Sequence, residues 1–189
     1  MRVGVLALQG DFEAHGRACV RAGLGPAVEV RTPAQLEGVD ALVMPGGEST
    51  TISKGLVRTG LDAALRARIA AGMPVLGTCA GAILLSRRVQ NHPVPTLGVL
   101  DATAVRNAYG TQVDSFTSPV DAGALAGLEG LQAVFIRAPR LEALGAGVEV
   151  LARVDGAPVL VRQGHVLAAT FHPELTDDPR VHRLLVQAG

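Results

Sequence analysis

Short apolar runs of strand length recur through the first half of this chain, each followed by a segment of helical character, and that rhythm leaves few folds open. Val3 to Leu8 is a continuous apolar run, after which Asp11 offers an N-cap for a helix to about Ala22, closed by Gly23 and Gly25. Ala27 to Arg31 reads as a second strand, leading through Thr32-Pro33 into a brief helix. Val39 to Met44 reads as a third, ending at Pro45-Gly46-Gly47. Thr50 to Arg58 and Leu61 to Ala71 are helical in pattern, broken by Gly60 and closed by Gly72, and Met73 to Leu76 is again strand-like. Strands alternating with helices predict a parallel sheet with right-handed crossovers.

The second half changes character. Gln90 to Thr96 carries Pro93 and Pro95 and reads as a loop, followed by extended segments at Gly98 to Arg106, Gln112 to Phe116 and Ala133 to Ile136. Val148 to Val154, Pro158 to Arg162 and His165 to Phe171 are apolar strands joined by Asp155-Gly156 and Gln163-Gly164, the dipeptides of tight antiparallel turns. A last helix is expected from about Pro179 to Gln187.

The fold expected is therefore α/β: a flavodoxin-like three-layer sandwich. Its central sheet is mostly parallel with helices on both faces, extended by a C-terminal antiparallel hairpin. At 189 residues this predicts one domain spanning 1–189. Only Phe12, Phe116, Phe135, Phe171 and Tyr109 are aromatic, so the core must be built from Val, Leu, Ile and Ala, the filling of a covered parallel sheet.

Lys and Arg total 17, as do Asp and Glu, and the formal charge of zero argues against a nucleic-acid or anionic-membrane binder. Cys19 and Cys79 lie in different elements without metal or redox spacing, and no apolar run is long enough to span a bilayer. A reducing cytoplasm is the expected location. No metal site and no cofactor are expected, since His15, His92, His165 and His182 lack ligand spacing and read as solvated or structural.

Chemistry concentrates at Gly77-Thr78-Cys79-Ala80-Gly81. The strand before it and the apolar run Ala82 to Leu85 after it put Cys79 on a strand-to-helix corner, where glycines on either side leave room for a sharp turn. A helix N-terminus favours an anionic sulfur. The backbone N–H of Ala80 is a natural oxyanion donor, and Gly46-Gly47, ending a neighbouring strand, offers a second. The expected base is His172, because Pro173 pushes it into an extended conformation that aims His172 and Glu174 to the same side, where the carboxylate can orient the imidazole.

With these residues in place, the chain resembles the class I, triad-type glutamine amidotransferases. Leu8-Gln9-Gly10, Pro45-Gly46-Gly47-Glu48-Ser49-Thr50, Arg106-Asn107-Ala108-Tyr109-Gly110, Phe135-Ile136-Arg137-Ala138-Pro139 and Phe171 to Thr176 are similar to the glutaminase subunits of pyridoxal 5′-phosphate synthase. The resemblance implies hydrolysis of L-glutamine to glutamate and ammonia through a thioester, with Cys79, His172 and Glu174 as the triad. It further implies glutamine contacts from Gly46, Gly47, Glu48, Arg106, Ile136 and Arg137, with Gly47 and Ala80 in the oxyanion hole. It implies delivery of ammonia to a (β/α)₈-barrel synthase subunit whose docking raises the glutaminase rate. Thr111 and Thr117 depart from the family pattern, which often has Arg and Glu there. Two rivals remain: a DJ-1/PfpI-like cysteine hydrolase, which tends to place a histidine directly after the nucleophile where this chain has Ala80, and a non-catalytic docking subunit of the same fold.

Overall fold

The computed structural model describes residues 1–107, 115–122 and 127–187. Five parallel strands make up most of a seven-stranded sheet and reach one of its edges: β1 (Val3–Leu6), β2 (Val28–Val30), β3 (Ala41–Met44), β4 (Val75–Thr78) and β12 (Val166–Ala169), whose labels count all strands in chain order. With β10 (Glu149–Val154) and β11 (Ala157–Gln163) added, the order across the sheet is β10-β11-β12-β4-β3-β1-β2. At the other edge, β10 and β11 run antiparallel as a hairpin turned by Asp155 and Gly156, both at positive φ. This is the flavodoxin-like arrangement with the antiparallel extension that the sequence predicts.

Alternation along the strands fills two separate cores. Leu42 and Met44 of β3, with Val75 of β4, pack on α2 (Pro33–Glu37), α3 (Ser49–Thr59), α4 (Leu61–Ala70) and α5 (Ala80–Leu85). Val43 and Leu76 face the other way, onto the side holding α1 (Phe12–Arg21) and α6 (Arg180–Gln187). Adjacent residues on a strand point to opposite faces, so fully apolar strands need a helical layer on each side.

Two smaller sheets stand beside the main one. In the first, β6 (Leu100–Val105) pairs with β5 (Ser86–Gln90) and β9 (Arg140–Glu142); in the second, β7 (Ser115–Pro119) pairs with β8 (Gln132–Ile136). β5 and β9 are additions to the strands read from the sequence. The helix after Cys79 stops at Leu85, and Ser86 turns extended while its Oγ donates to Ala82 O at 2.8 Å. Of the extended segment expected from Gln112, residues 112–114 lie outside the described residues, as does Thr111; Thr117 sits in β7 opposite Val134.

Parallel order places the C-terminal ends of β1, β3, β4 and β12 along one rim. The expected reactive groups follow those ends: Gln9 after β1, Gly46 to Glu48 after β3, Cys79 after β4, and His172 after β12. This is the rim at which open α/β sheets bind ligands.

Candidate active site

The corner at Cys79 is held by backbone. Its N–H donates to Ala169 O on β12 at 2.8 Å, and its carbonyl accepts the first turn of α5 from Ile83 at 3.2 Å. Between these bonds Cys79 takes φ 48° and ψ −104°. A side-chain-bearing residue is strained there by about 1–3 kcal/mol, a cost that surrounding structure must offset. The flanking glycines answer a steric demand: a Cβ on Gly77 would lie 2.6 Å from Leu85 Cδ1 and 2.7 Å from Gly81 C, and one on Gly81 would overlap Met44 O. Cys79 is 7% exposed, and the opening it has leads into a cavity of about 270 Å³ at the sheet rim.

The base arrives from β12. His172 N–H donates to Val134 O on β8 at 2.8 Å, and before the proline the residue avoids the helical region but, at φ −108° and ψ 85°, falls short of the extended conformation expected of it. Glu174, however, does not follow on an extended strand. Proline's fixed φ starts a single 3₁₀ turn at Pro173–Leu175, and this turn brings the carboxylate back beneath the ring. His172 Nδ1 and Glu174 Oε1 are 2.7 Å apart. With Nδ1–H committed to the carboxylate, Nε2 is the nitrogen left to serve Cys79, whose Sγ lies 3.9 Å from Ile136 O. Burial lowers the pKa of His172, but the bonds to Cys79 and Glu174 and their charges outweigh it and raise the value to about 10.

Gly46 lies behind this pair rather than in the cavity wall: a Cβ there would meet His172 Cε1 at 2.5 Å and Cys79 Cβ at 3.3 Å. The other five residues expected to meet glutamine, Gly47, Glu48, Arg106, Ile136 and Arg137, all line the cavity, as do Cys79, Ala80 and His172. Gly47 has φ 150°, and the next N–H, of Glu48, donates to Gln9 Oε1 at 2.7 Å. Gln9, also in the wall, is thereby the side chain that holds the Gly46-Gly47 turn against β1.

Glu48 caps α3, accepting from Thr50 N at 3.0 Å and from Thr51 N at 2.8 Å. Desolvation raises its carboxyl, yet these bonds and those of the Thr50 and Thr51 side chains prevail and lower it to about 2. The anion is in turn 3.4 Å from the guanidinium of Arg106, which also donates to His92 O at 2.7 Å. Arg137 and Asn107 reach the wall from left-handed backbone, φ 43° and 51°. The Arg106 motif continues into 108–110, which lie outside the described residues.

Beneath the triad lies a feature the sequence reading passes over. His15 and His182, read there as solvated or structural, are both wholly buried. His15 Nε2 is 3.2 Å from Glu174 Oε2 and 3.1 Å from Thr78 Oγ1, while its Nδ1 is 2.9 Å from His182 Nε2. Burial, then the fields of His182 and His172, hold His15 well below the usual histidine range; burial and Arg21 lower His182 to about 4. The available signal was positional: His15 shares the apolar stripe of α1 with Ala14, Ala18 and Cys19, and His182 shares that of α6 with Val181 and Leu185. His165 instead serves Ile69 O at 2.7 Å. Among the described residues no group of His, Cys, Asp and Glu is placed to hold a metal ion, and no helix is long and apolar enough to cross a membrane.

A protein-family model described as the SNO glutamine amidotransferase family matches residues 5–188. Among curated proteins, the pyridoxal 5′-phosphate synthase subunit PdxT of Thermus thermophilus is 54% identical over 187 residues, covering 98% of this chain and 96% of the relative. The subunit of the same name from Frankia alni is 55% identical over 189 residues, covering 98% and 93%. Among solved structures, a crystal structure of a glutamine amidotransferase superposes with a TM-score of 0.93 at 51% identity, covering 100% of this chain and 98% of the other.

Proposed function

Because the chain belongs to the SNO glutamine amidotransferase family, we propose that its rim cavity is a glutaminase site worked by Cys79, His172 and Glu174. The chain hydrolyses glutamine and delivers the ammonia to pyridoxal 5′-phosphate synthesis, acting as the glutaminase subunit beside a synthase subunit. The observation that carries the residue assignment is the 2.7 Å His172–Glu174 pair at the cavity into which Cys79 opens.

The chemistry is acyl transfer. With the proton already on His172, Cys79 Sγ attacks the side-chain carbonyl carbon of glutamine, and the oxygen takes the electron pair. The N–H groups of Ala80 and Gly47 receive that oxyanion, the close approach of the Gly46-Gly47 turn to Cys79 being what brings the second donor within range. Collapse of the intermediate breaks the C–N bond as His172 protonates the departing nitrogen, giving ammonia and a Cys79 thioester. Water, deprotonated by His172, then attacks the thioester, releasing glutamate and restoring the thiolate–imidazolium pair.

Gly47, Glu48, Arg106, Ile136 and Arg137 are proposed to hold glutamine, the Glu48 carboxylate facing its α-ammonium and Arg106 its α-carboxylate, while Gly46, packed against His172 and Cys79, is proposed to serve the substrate only through the turn that presents Gly47. The partner is proposed to be a (β/α)₈ barrel whose docking raises the glutaminase rate. The whole of 1–189 is proposed to act as one glutaminase domain, in the cytoplasm. No observation favours a DJ-1/PfpI-like hydrolase or a silent docking subunit. The test is ammonia release from glutamine with the synthase present. Cys79→Ala is expected to lose activity by roughly 10⁴-fold or more, as removal of a catalytic nucleophile does; an unchanged rate refutes the triad.

A further inference from the structure

We propose that His15 is a positioning residue for glutaminase chemistry, donating its Nε2–H to the far oxygen of Glu174 and held in that tautomer by His182. The inference rests on the triad of Cys79, His172 and Glu174 and extends it by two residues into the core. Glu174 is 5% exposed and uses Oε1 on His172; its Oε2 is fully enclosed and receives no hydrogen bond of ordinary geometry among the described residues. A buried carboxylate oxygen without a donor is costly. His15 Nε2, at 3.2 Å, is the nitrogen placed to serve it.

The protons can be assigned from this contact. A carboxylate only accepts, and an unprotonated Nε2 would set its lone pair against that charge, so the proton of neutral His15 lies on Nε2, shared between Glu174 Oε2 and Thr78 Oγ1. Nδ1 of His15 is then an acceptor, and the bond at 2.9 Å must come from His182 Nε2–H. That in turn leaves His182 Nδ1 bare, and among the described residues Nδ1 is the one side-chain nitrogen found buried without a partner. Every N–H in the series points the same way, from His182 to His15 to Glu174.

In this assignment each oxygen of Glu174 has an N–H placed beside it, His172 at 2.7 Å from Oε1 and His15 at 3.2 Å from Oε2. Removing the second makes the carboxylate easier to protonate, and a protonated Glu174 no longer fixes the His172 tautomer or stabilises its cation. The groups facing His15 are Glu174 from the 3₁₀ turn, Thr78 from β4 and His182 from α6, with His172 beyond Glu174; Arg21, from the same helix as His15, acts on His182.

Two amides test the geometry, since the side-chain nitrogen of Gln reaches where Nε2 stands and that of Asn reaches only Nδ1. Glutamine hydrolysis by each variant in complex with the synthase is measured from about pH 3.5 to 8.5, spanning the ordinary titration ranges of Glu and His. His15→Asn is expected to lower kcat roughly 10- to 100-fold, in line with loss of a group that orients a reactive side chain, with KM unchanged. Its acid limb is expected to move up by about one pH unit, and His15→Gln to restore both. Equal behaviour of the two amides, or a reduced kcat with the acid limb unmoved, overturns the proposal. Should His15→Asn fail to fold, His182→Leu and His182→Gln replace the pair: Leu releases the tautomer and moves the acid limb the same way, Gln does not, and a wild-type profile for folded His182→Leu overturns the proposal. Cys79→Ala, assayed alongside, reports on the triad independently of either result.

Discussion

The two halves of the proposed triad are built by different means. Cys79 is positioned almost wholly by main chain: a bond to Ala169 O, the first turn of α5, a strained φ/ψ, and glycines that allow neighbouring segments to touch. His172 is positioned by side chains, through Glu174 to His15 and His182 across the helical layer. A backbone-built site fails sterically and at once, because nothing in it can rotate away. A side-chain-built site can lose one member, keep its fold, and fail electrostatically.

Gly81→Ala should separate these modes most sharply. The new Cβ would occupy the position of Met44 O, a backbone atom of β3 that cannot move without disturbing the Gly46-Gly47 turn two residues on. A destabilisation of about 4 kcal/mol or more is expected, in the range of severe overpacking, together with loss of glutaminase activity. Chemical denaturation and the coupled assay check both. A stable, active Gly81→Ala would mean that the corner is not sterically determined.

On the other side, Glu174→Gln should leave the fold and impair the chemistry. One end of the amide must present N–H₂ to a neighbour that itself donates, either His172 Nδ1–H or His15 Nε2–H. The simplest relief is for His172 to move its proton to Nε2, which leaves the nitrogen facing Cys79 holding a proton where it must be free to accept one. A loss in kcat of roughly 10²- to 10⁴-fold is expected, the scale seen when the orienting carboxylate of a triad becomes an amide. Near-normal thermal stability should accompany it; full activity would show that the tautomer is fixed by something other than Glu174.

The contrast also governs what was legible in the sequence. The parallel sheet, the Cys79 corner and the need for Gly77 and Gly81 could be read because periodicity and glycine are local signals of backbone geometry. The His172–Glu174 pairing was anticipated, but through the wrong local shape: strand alternation would also put i and i+2 together, and only Pro173 as the start of a 3₁₀ turn explains how they meet. β5 and β9 escaped because short strands beside polar turns carry little periodicity, and Arg87-Arg88 in β5 break its apolar pattern. His15 and His182 are 167 positions apart, and no spacing rule links them. What marked them was an ionisable residue on the buried stripe of each helix, a weak sign until the two helices are seen on the same face of the sheet.

The gentlest test of the comparison is the pH dependence of stability without substrate. For the buried pair, His182 falls from 6.5 to about 4 on folding, and His15 shifts in the same direction. The unfolded chain therefore binds more protons between pH 4 and 6.5, so stability falls as pH is lowered through that window, by about 3 kcal/mol for His182 alone at 1.36 kcal/mol per unit. Glu48, lowered from 4.5 to about 2, loses its own contribution only below pH 4.5, so the interval from 4.5 to 6.5 belongs mainly to the histidines. His172 has the opposite sign: raised from 6.5 to about 10, it contributes fully below pH 6.5, and that contribution is lost as pH climbs through 10. Since the Cys79 bond is the foremost of the influences raising His172, Cys79→Ala should bring the alkaline decline to lower pH and leave the acid decline where it was. Urea midpoints measured at each pH resolve the two limbs. An alkaline limb unmoved in Cys79→Ala would mean that sulfur and imidazole are not coupled, and that the backbone-built and side-chain-built halves do not meet at that bond.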